Sequence, residues 1–331
     1  MIITRTPFRI SFFGGGTDYP TWFRRHGGEV LATTIDKYCY ISCRRLPPFF
    51  EYKHRIVYSH IENVMSPEQI QHPAVRAVMA WQHVTEGVEI HHDADLPARS
   101  GLGSSSSFTV GLINALAALD GRQISKAGLA HAAIHVEQNV IGESVGSQDQ
   151  ISAAYGGFNW IEFQRDGGFL VEPVVLNQAR KQELHSHLML CFTGFSRIAS
   201  DVAKSKIDNM RERVTELSKM RAMVADAVQI LRDENCRIEE FGKLLDEGWL
   251  YKRSLSDRVS TPEIDVMYET AINAGALGGK LLGAGGGGFL LLFVPPARQD
   301  AVRAALPNVV HVPFQFESSG SRVVLYEPNG F

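Results

Sequence analysis

Apolar positions along the chain fall into two kinds of period. Val30 to Cys43 and Gly87 to His92 read as strands, whereas Phe108 to Leu119 is apolar at nearly every position, as a buried helix is. From Ser125, a fitting cap, a further helix is predicted, because Leu129, Ala133, Val136 and Val140 recur at helical steps. Tyr155 to Phe163 reads as a turn and a strand. A long amphipathic stretch from about Ser200 to Asp233 carries Met210, Val214, Leu217, Val224, Val228 and Leu231 on one stripe, which suits core packing or a dimer seam. The tail predicts a helix over 263–274, a glycine loop, a strand from Phe289 to Val294, a helix over 297–306 and strands over 309–314 and 322–327. That order suits a ferredoxin-like layer holding both last strands.

Composition narrows the class. With 331 residues and 44% apolar content the chain can bury a large core, and the length favours two domains. A formal net charge of −3 without a basic block offers no footprint for nucleic acid or an anionic membrane. No apolar run approaches the roughly 20 residues that span a bilayer, and the N-terminus lacks a signal-peptide core, so a cytoplasmic protein is expected. Cys39, Cys43, Cys191 and Cys236 show neither metal spacing nor a disulfide framework. His131 and His135 are four apart, but Ala132 stands where a zinc protease needs its glutamate.

Chemistry enters with Pro97-Ala-Arg-Ser-Gly-Leu-Gly-Ser-Ser-Ser-Ser107, which runs straight into the apolar helix. Gly101 and Gly103 permit backbone conformations closed to other residues, so consecutive N–H groups can converge, and the serines add hydroxyls at a partly positive helix end. A polyphosphate suits such an end; a serine-capped helix after a turn is the plainer reading. Gly283-Ala-Gly-Gly-Gly-Gly288 spells the dinucleotide fingerprint, yet a strand follows it where that fingerprint requires a helix. Glu137 shares its helical face with Ala133 and Val140, a position where a carboxylate is costly unless a partner compensates it, as in a salt bridge, or unless it lies at an exposed stripe edge. Asp149 fits an Asx turn before the next helix.

Residues 97–105 match the Pro-x-x-x-Gly-Leu-Gly-Ser-Ser motif of the GHMP small-molecule kinases. With Thr6-Pro-Phe-Arg-Ile-Ser-Phe-Phe-Gly-Gly-Gly-Thr-Asp-Tyr-Pro20 near the start and Gly279-Lys-Leu-Leu-Gly-Ala-Gly-Gly-Gly-Gly-Phe289 near the end, the chain resembles that family over nearly its whole length. The first segment has Gly15 and Gly16 where galactokinase has Glu-His. It is most similar to the branch that phosphorylates D-glycero-D-manno-heptose 7-phosphate, with fucokinase-type enzymes as relatives.

The resemblance implies a two-domain α+β GHMP kinase fold. A ribosomal protein S5 domain 2-like N-terminal nucleotide-binding domain would cover 1–176, and a ferredoxin-like C-terminal substrate domain 177–331. It implies ATP and magnesium, with the γ-phosphoryl group passing to the anomeric hydroxyl of a heptose 7-phosphate in the making of nucleotide-activated heptose for lipopolysaccharide, capsule or S-layer glycan. Pro97, Ser100, Gly101, Leu102, Gly103, Ser104, Ser105 and Ser106 would cradle the nucleotide, and Ser105 and Glu137 would ligate magnesium. Asp149, in Gly146-Ser-Gln-Asp149, would take the proton of the attacking hydroxyl, with Arg9 as its paired cation. Thr17, Asp18 and Tyr19 would bind the sugar, and Gly285 and Gly286 the phosphates or the sugar. Arg197 is the chosen contact for the acceptor's own phosphate, with Arg24, Arg25 and Lys252 as further candidates. Other sugars as acceptor, or a non-catalytic sensor on the same fold, are the alternatives, and a homodimer is open.

Overall fold

The computed structural model describes residues 1–98, 100–194, 205, 207, 209, 210 and 212–328. The first unit runs β1 (Ile2–Phe13), α1 (Pro20–His26), β2 (Gly28–Arg45), β3 (His54–Val57), β4 (Ile61–Val64), α2 (Pro73–Trp81), β5 (Val88–Ala94), α3 (Ser104–Leu119), α4 (Lys126–His135), α5 (Gln148–Tyr155), β6 (Phe158–Phe163) and β7 (Phe169–Pro173). The second runs α6 (Gln178–Ser186), β8 (Leu188–Phe192), α7 (Val214–Arg232), α8 (Glu239–Ser254), α9 (Pro262–Asn273), β9 (Gly278–Leu281), β10 (Phe289–Phe293), α10 (Gln299–Ala305) and β11 (Val310–His311), after which come β12 (Phe316–Glu317) and β13 (Arg322–Tyr326).

β2, at 18 residues, organises the first sheet. One edge pairs with β1; the other takes β6 along Gly28–Thr33, β12 at Thr34 and Ile35, and β5 along Cys39–Arg45, all antiparallel. Among the described residues the sheet has nine strands, in the order β13-β1-β2-β5-β3-β4 with β6, β7 and β12 off that path. Apolar α3 lies across it, buried at nearly every residue, which is why its sequence shows no polar face. The second sheet, β11-β8-β10-β9, is antiparallel, and its central β10 is buried throughout.

The strand expected over 322–327 in the second layer belongs to the first: β13 pairs with β1. Without it β1 would present an open row of N–H and C=O groups, and the half-buried alternation of β13 is that of an edge strand. The helix expected through Val140 ends at His135 and widens into a π-turn over Val136–Ile141. Its cap is Ser125, whose Oγ accepts the Gly128 N–H at 3.1 Å. Of the expected stripe Met210, Leu217, Val224, Val228 and Leu231 are core, Val214 at the start of α7 is exposed, and residues 200–204 lie outside the described residues. Cys39 and Cys43 lie buried on β2, and all four thiols are free. Among the described residues no helix is long and apolar enough to cross a membrane.

Candidate active site

Two glycine loops meet backbone to backbone where the units join. Gly101 and Gly103 are left-handed, at φ 84° and 76°. A Cβ on Gly101 would sit 2.5 Å from the Leu282 carbonyl oxygen, and one on Gly283 2.5 Å from Gly101 Cα. The Phe289 N–H donates to the Ser100 carbonyl at 3.1 Å, closing the seam. Any side chain at these glycines would part the loops.

The seam opens into a cavity of about 360 Å³. Ser104, Ser105 and Ser106, the first turn of α3, stand on its wall beside Gly101 and Gly103, so the N-terminus of a 16-residue helix faces the space. Ser100 and Leu102 are buried behind them, the Leu102 carbonyl accepting the Arg9 N–H at 3.0 Å, and Pro97 is exposed away from the cavity.

Arg9 and Asp149 form a bidentate pair on the same wall: Nε donates to Oδ1 at 2.8 Å and Nη2 to Oδ2 at 2.9 Å. Arg9 Nη1 also donates to the Gly101 carbonyl at 2.7 Å, tying the pair to the glycine loop. Strand β1 supplies the arginine and the first turn of α5 the aspartate. The guanidinium is almost wholly buried, whereas the carboxylate is about a quarter exposed, with one side open to the cavity.

The segment Gly14–Asp18 forms the next wall. Gly14 is left-handed at φ 78° and presses on the Glu29 carbonyl. Thr17 Oγ1 donates to the Gly14 and Glu29 carbonyls, at 2.8 and 2.9 Å. Thr17 therefore holds the loop and does not line the cavity; Asp18 and Tyr19 do. Asp18 Oδ1 accepts the Gly16 N–H at 2.9 Å and Oδ2 the Gln148 N–H at 3.3 Å. Burial pushes its carboxyl above the usual range, opposed by those N–H groups and aided by the charge of Asp149.

Glu137, at the π-turn, is buried behind the serines. Its Oε2 accepts from Ser106 Oγ at 2.9 Å and from the Gln150 side-chain amide, while Oε1 is buried with no partner. Burial pushes this carboxyl up to about 7. The serine at Glu137 is thus Ser106; Ser105 is exposed on the cavity wall. An orphaned carboxylate oxygen near serine hydroxyls fits a hard cation such as magnesium, which takes few protein ligands and draws the rest from phosphates and water. Among the described residues no cluster of three or more His, Cys, Asp or Glu could hold a metal.

The second glycine loop meets the cavity at Gly283 and Ala284. Gly285 and Gly286 pack instead on Val259, whose carbonyl accepts the Gly286 N–H at 3.0 Å. Arg24 and Arg25 are exposed on α1, and Arg197 lies outside the described residues. Residues that sequence reasoning gave no role, Ser11, Gln148 and Lys280, line the cavity along with Lys252. The one available signal was a lysine inside Gly278-Gly-Lys-Leu281, a strand buried at every position.

Comparison with known proteins matches residues 70–157 to the family model for the GHMP kinases N terminal domain and 231–312 to that for the GHMP kinases C terminal. The chain is 30% identical to the D-glycero-alpha-D-manno-heptose 7-phosphate kinase of Campylobacter jejuni, over 92% of this chain and 93% of that one. It is 26% identical to the bifunctional fucokinase/GDP-fucose pyrophosphorylase of Arabidopsis thaliana, over 88% of this chain but 30% of that one. The crystal structure of a D-glycero-D-manno-heptose 1-phosphate kinase from Bacteroides thetaiotaomicron superposes with a TM-score of 0.79 at 25% identity, covering 98% of each chain.

Proposed function

Because the chain belongs to the GHMP kinases and is a carbohydrate kinase of their heptose kinase branch, we propose that it phosphorylates the anomeric hydroxyl of D-glycero-D-manno-heptose 7-phosphate from ATP, giving the 1,7-bisphosphate. One observation carries the reading: the Arg9–Asp149 pair stands between a helix N-terminus and a buried aspartate, in one cavity.

Phosphoryl transfer asks for positioning and charge neutralisation. The N–H groups at the start of α3 receive the nucleotide's phosphates. Asp18 accepts from acceptor hydroxyls, its own carboxylate being fixed by two backbone N–H groups. Asp149 takes the proton of the attacking hydroxyl, and Arg9 holds that carboxylate in place. Magnesium, when bound, would neutralise charge on the transferred group, and Ser105 and Glu137 are the residues to hold it, with Ser106 orienting the glutamate. A non-catalytic sensor would have no use for the bidentate pair. The same proposal takes the chain as cytoplasmic, and as a nucleotide unit over 1–176 and a substrate unit over 177–331, with β12 and β13 returned to the first sheet.

ADP release from Mg-ATP tests the reading with heptose 7-phosphate, unphosphorylated heptose, mannose, L-fucose and galactose. We expect strong turnover with the phosphorylated heptose alone; turnover confined to fucose or to neutral heptose would overturn it. Gly146→Ala gives an independent check. Its Cβ would fall 1.9 Å from Asp18 Oδ2, and the short buried aspartate has no room to yield. The KM for the acceptor is expected to rise roughly tenfold or more, as a charged hydrogen-bonding group is displaced, with the KM for ATP little changed.

A further inference from the structure

The mechanism above leaves two lysines on the cavity wall unused. Lys252, from α8, donates through Nζ to the carbonyls of Leu281 at 2.5 Å and Gly283 at 2.8 Å. Lys280, from β9, donates to the carbonyl of Phe12 at 2.7 Å, reaching across from the second unit to β1. Both residues are only 6% exposed. Anchoring by backbone carbonyls fixes each ammonium in place, which makes these lysines parts of a built site and not solvated surface charge.

Two side-chain atoms of the first unit share this cavity with open hydrogen-bonding capacity. Ser11 Oγ and Gln148 Oε1 are buried without partners, and both residues are at least nine-tenths buried. Gly15 lies against both: a Cβ there would stand 3.4 Å from Ser11 Oγ and 3.6 Å from Gln148 Nε2. Phe12, whose carbonyl anchors Lys280, is the next residue after Ser11 on β1, and Lys280 and Ser11 both line the cavity. The carboxylates Asp149 and Asp18 are committed, the first to Arg9 and the second to the N–H groups of Gly16 and Gln148. Fixed cations and a hydroxyl suit a phosphate monoester, and an amide oxygen beside them suits a sugar hydroxyl.

We propose that Lys280 and Lys252, with Ser11 and Gln148, bind the phosphate that the acceptor carries on arrival and the hydroxyl next to it, and so set the preference for a phosphorylated over a neutral heptose. The inference rests on the sugar-phosphate reading above. A phosphate at this place could belong to the acceptor or to the nucleotide, and the test separates the two.

The measurement is kcat/KM for heptose 7-phosphate and for unphosphorylated heptose, together with the KM for ATP, in the wild type, Lys280→Met, Lys280→Arg and Ser11→Ala. Loss of one charged hydrogen-bonding partner is expected to lower the ratio of the two kcat/KM values roughly ten- to a hundredfold in Lys280→Met. Lys280→Arg keeps most of the ratio, and Ser11→Ala lowers it by a smaller factor, about three- to tenfold. An unchanged ratio with a raised KM for ATP would assign the lysines to the nucleotide and overturn the proposal. If Lys280→Met does not fold, Ser11→Ala and Lys252→Gln decide between these outcomes by the same ratio. Wild-type protein that turns over neither heptose overturns the proposed function and this inference with it. Wild-type preference for heptose 7-phosphate that survives in every variant overturns the subsite alone.

Discussion

Asp149→Asn is expected to lower kcat by roughly a thousandfold, the middle of the range for loss of a positioned proton acceptor, while nucleotide affinity stays nearly unchanged. The side chain stands on the cavity wall beside Gly103, with one face turned to Arg9 and the other to the space, and in the proposed reading that open face meets the acceptor hydroxyl. Asparagine keeps an oxygen for one of the two guanidinium N–H groups but sets an NH2 against the other. The buried Arg9 then loses its countercharge while keeping the Gly101 carbonyl. Full burial of a broken pair would cost about 3–5 kcal/mol; with the carboxylate a quarter exposed, about 1–2 kcal/mol is expected, enough to lower Tm measurably without unfolding the protein. Single-turnover ADP formation, nucleotide binding at equilibrium and a thermal melt separate these effects. Unchanged turnover would remove Asp149 from the mechanism. Loss of ATP binding in step with turnover would make it a support for the cradle.

The proposed phosphate cradle is legible in the sequence because its parts are local. Gly101, Gly103 and Ser104 to Ser106 are close neighbours in the chain, and the apolar run after them announces the helix whose end they form. Arg9 and Asp149 lie 140 residues apart, and no periodicity links them; the family resemblance pairs two separate segments of the sequence, and the β1–α5 contact brings them together in space. Where the sequence is silent or misleads, the reason is also spatial. Ser105 and Ser106 differ by a rotation of about 100° around the helix, so only packing against the π-turn decides which hydroxyl meets Glu137. Gly285 and Gly286 look like cradle residues in a run of glycines, yet their backbone is pressed on Val259. Chain order points the final strand to the nearest sheet in sequence, whereas the open edge of β1 takes it. Lys280 is hidden by its strand, since one polar residue among buried neighbours carries no sign of what it faces.

Glu137→Gln should expose the balance between folding and metal binding. Burial raises this carboxyl from its ordinary value of 4.5 to about 7, so the folded protein holds the proton more tightly than the unfolded chain does. Its contribution to stability is therefore fully present below about pH 4.5 and is lost as the pH rises through about 7. At about 1.4 kcal/mol per unit, the loss approaches roughly 3 kcal/mol by pH 8.5 in metal-free protein. Glutamine resembles the protonated acid. Its oxygen can take the place of Oε2 and keep both donors, Ser106 and Gln150, while its NH2 occupies the position of the partnerless Oε1. The metal-free variant should then melt at similar temperatures at pH 5 and pH 8.5, whereas the wild type falls. Magnesium is expected to restore wild-type stability at pH 8.5 by binding the ionised carboxylate, and to do nothing for the variant, whose NH2 points where the cation would sit. Turnover in saturating Mg-ATP should drop roughly a hundredfold or more as the metal's electrostatic contribution is weakened. If the variant still gains stability from magnesium and keeps its turnover, Glu137 is a structural acid kept neutral by burial and oriented by Ser106 and Gln150, and the metal is carried by the cavity wall at Ser105.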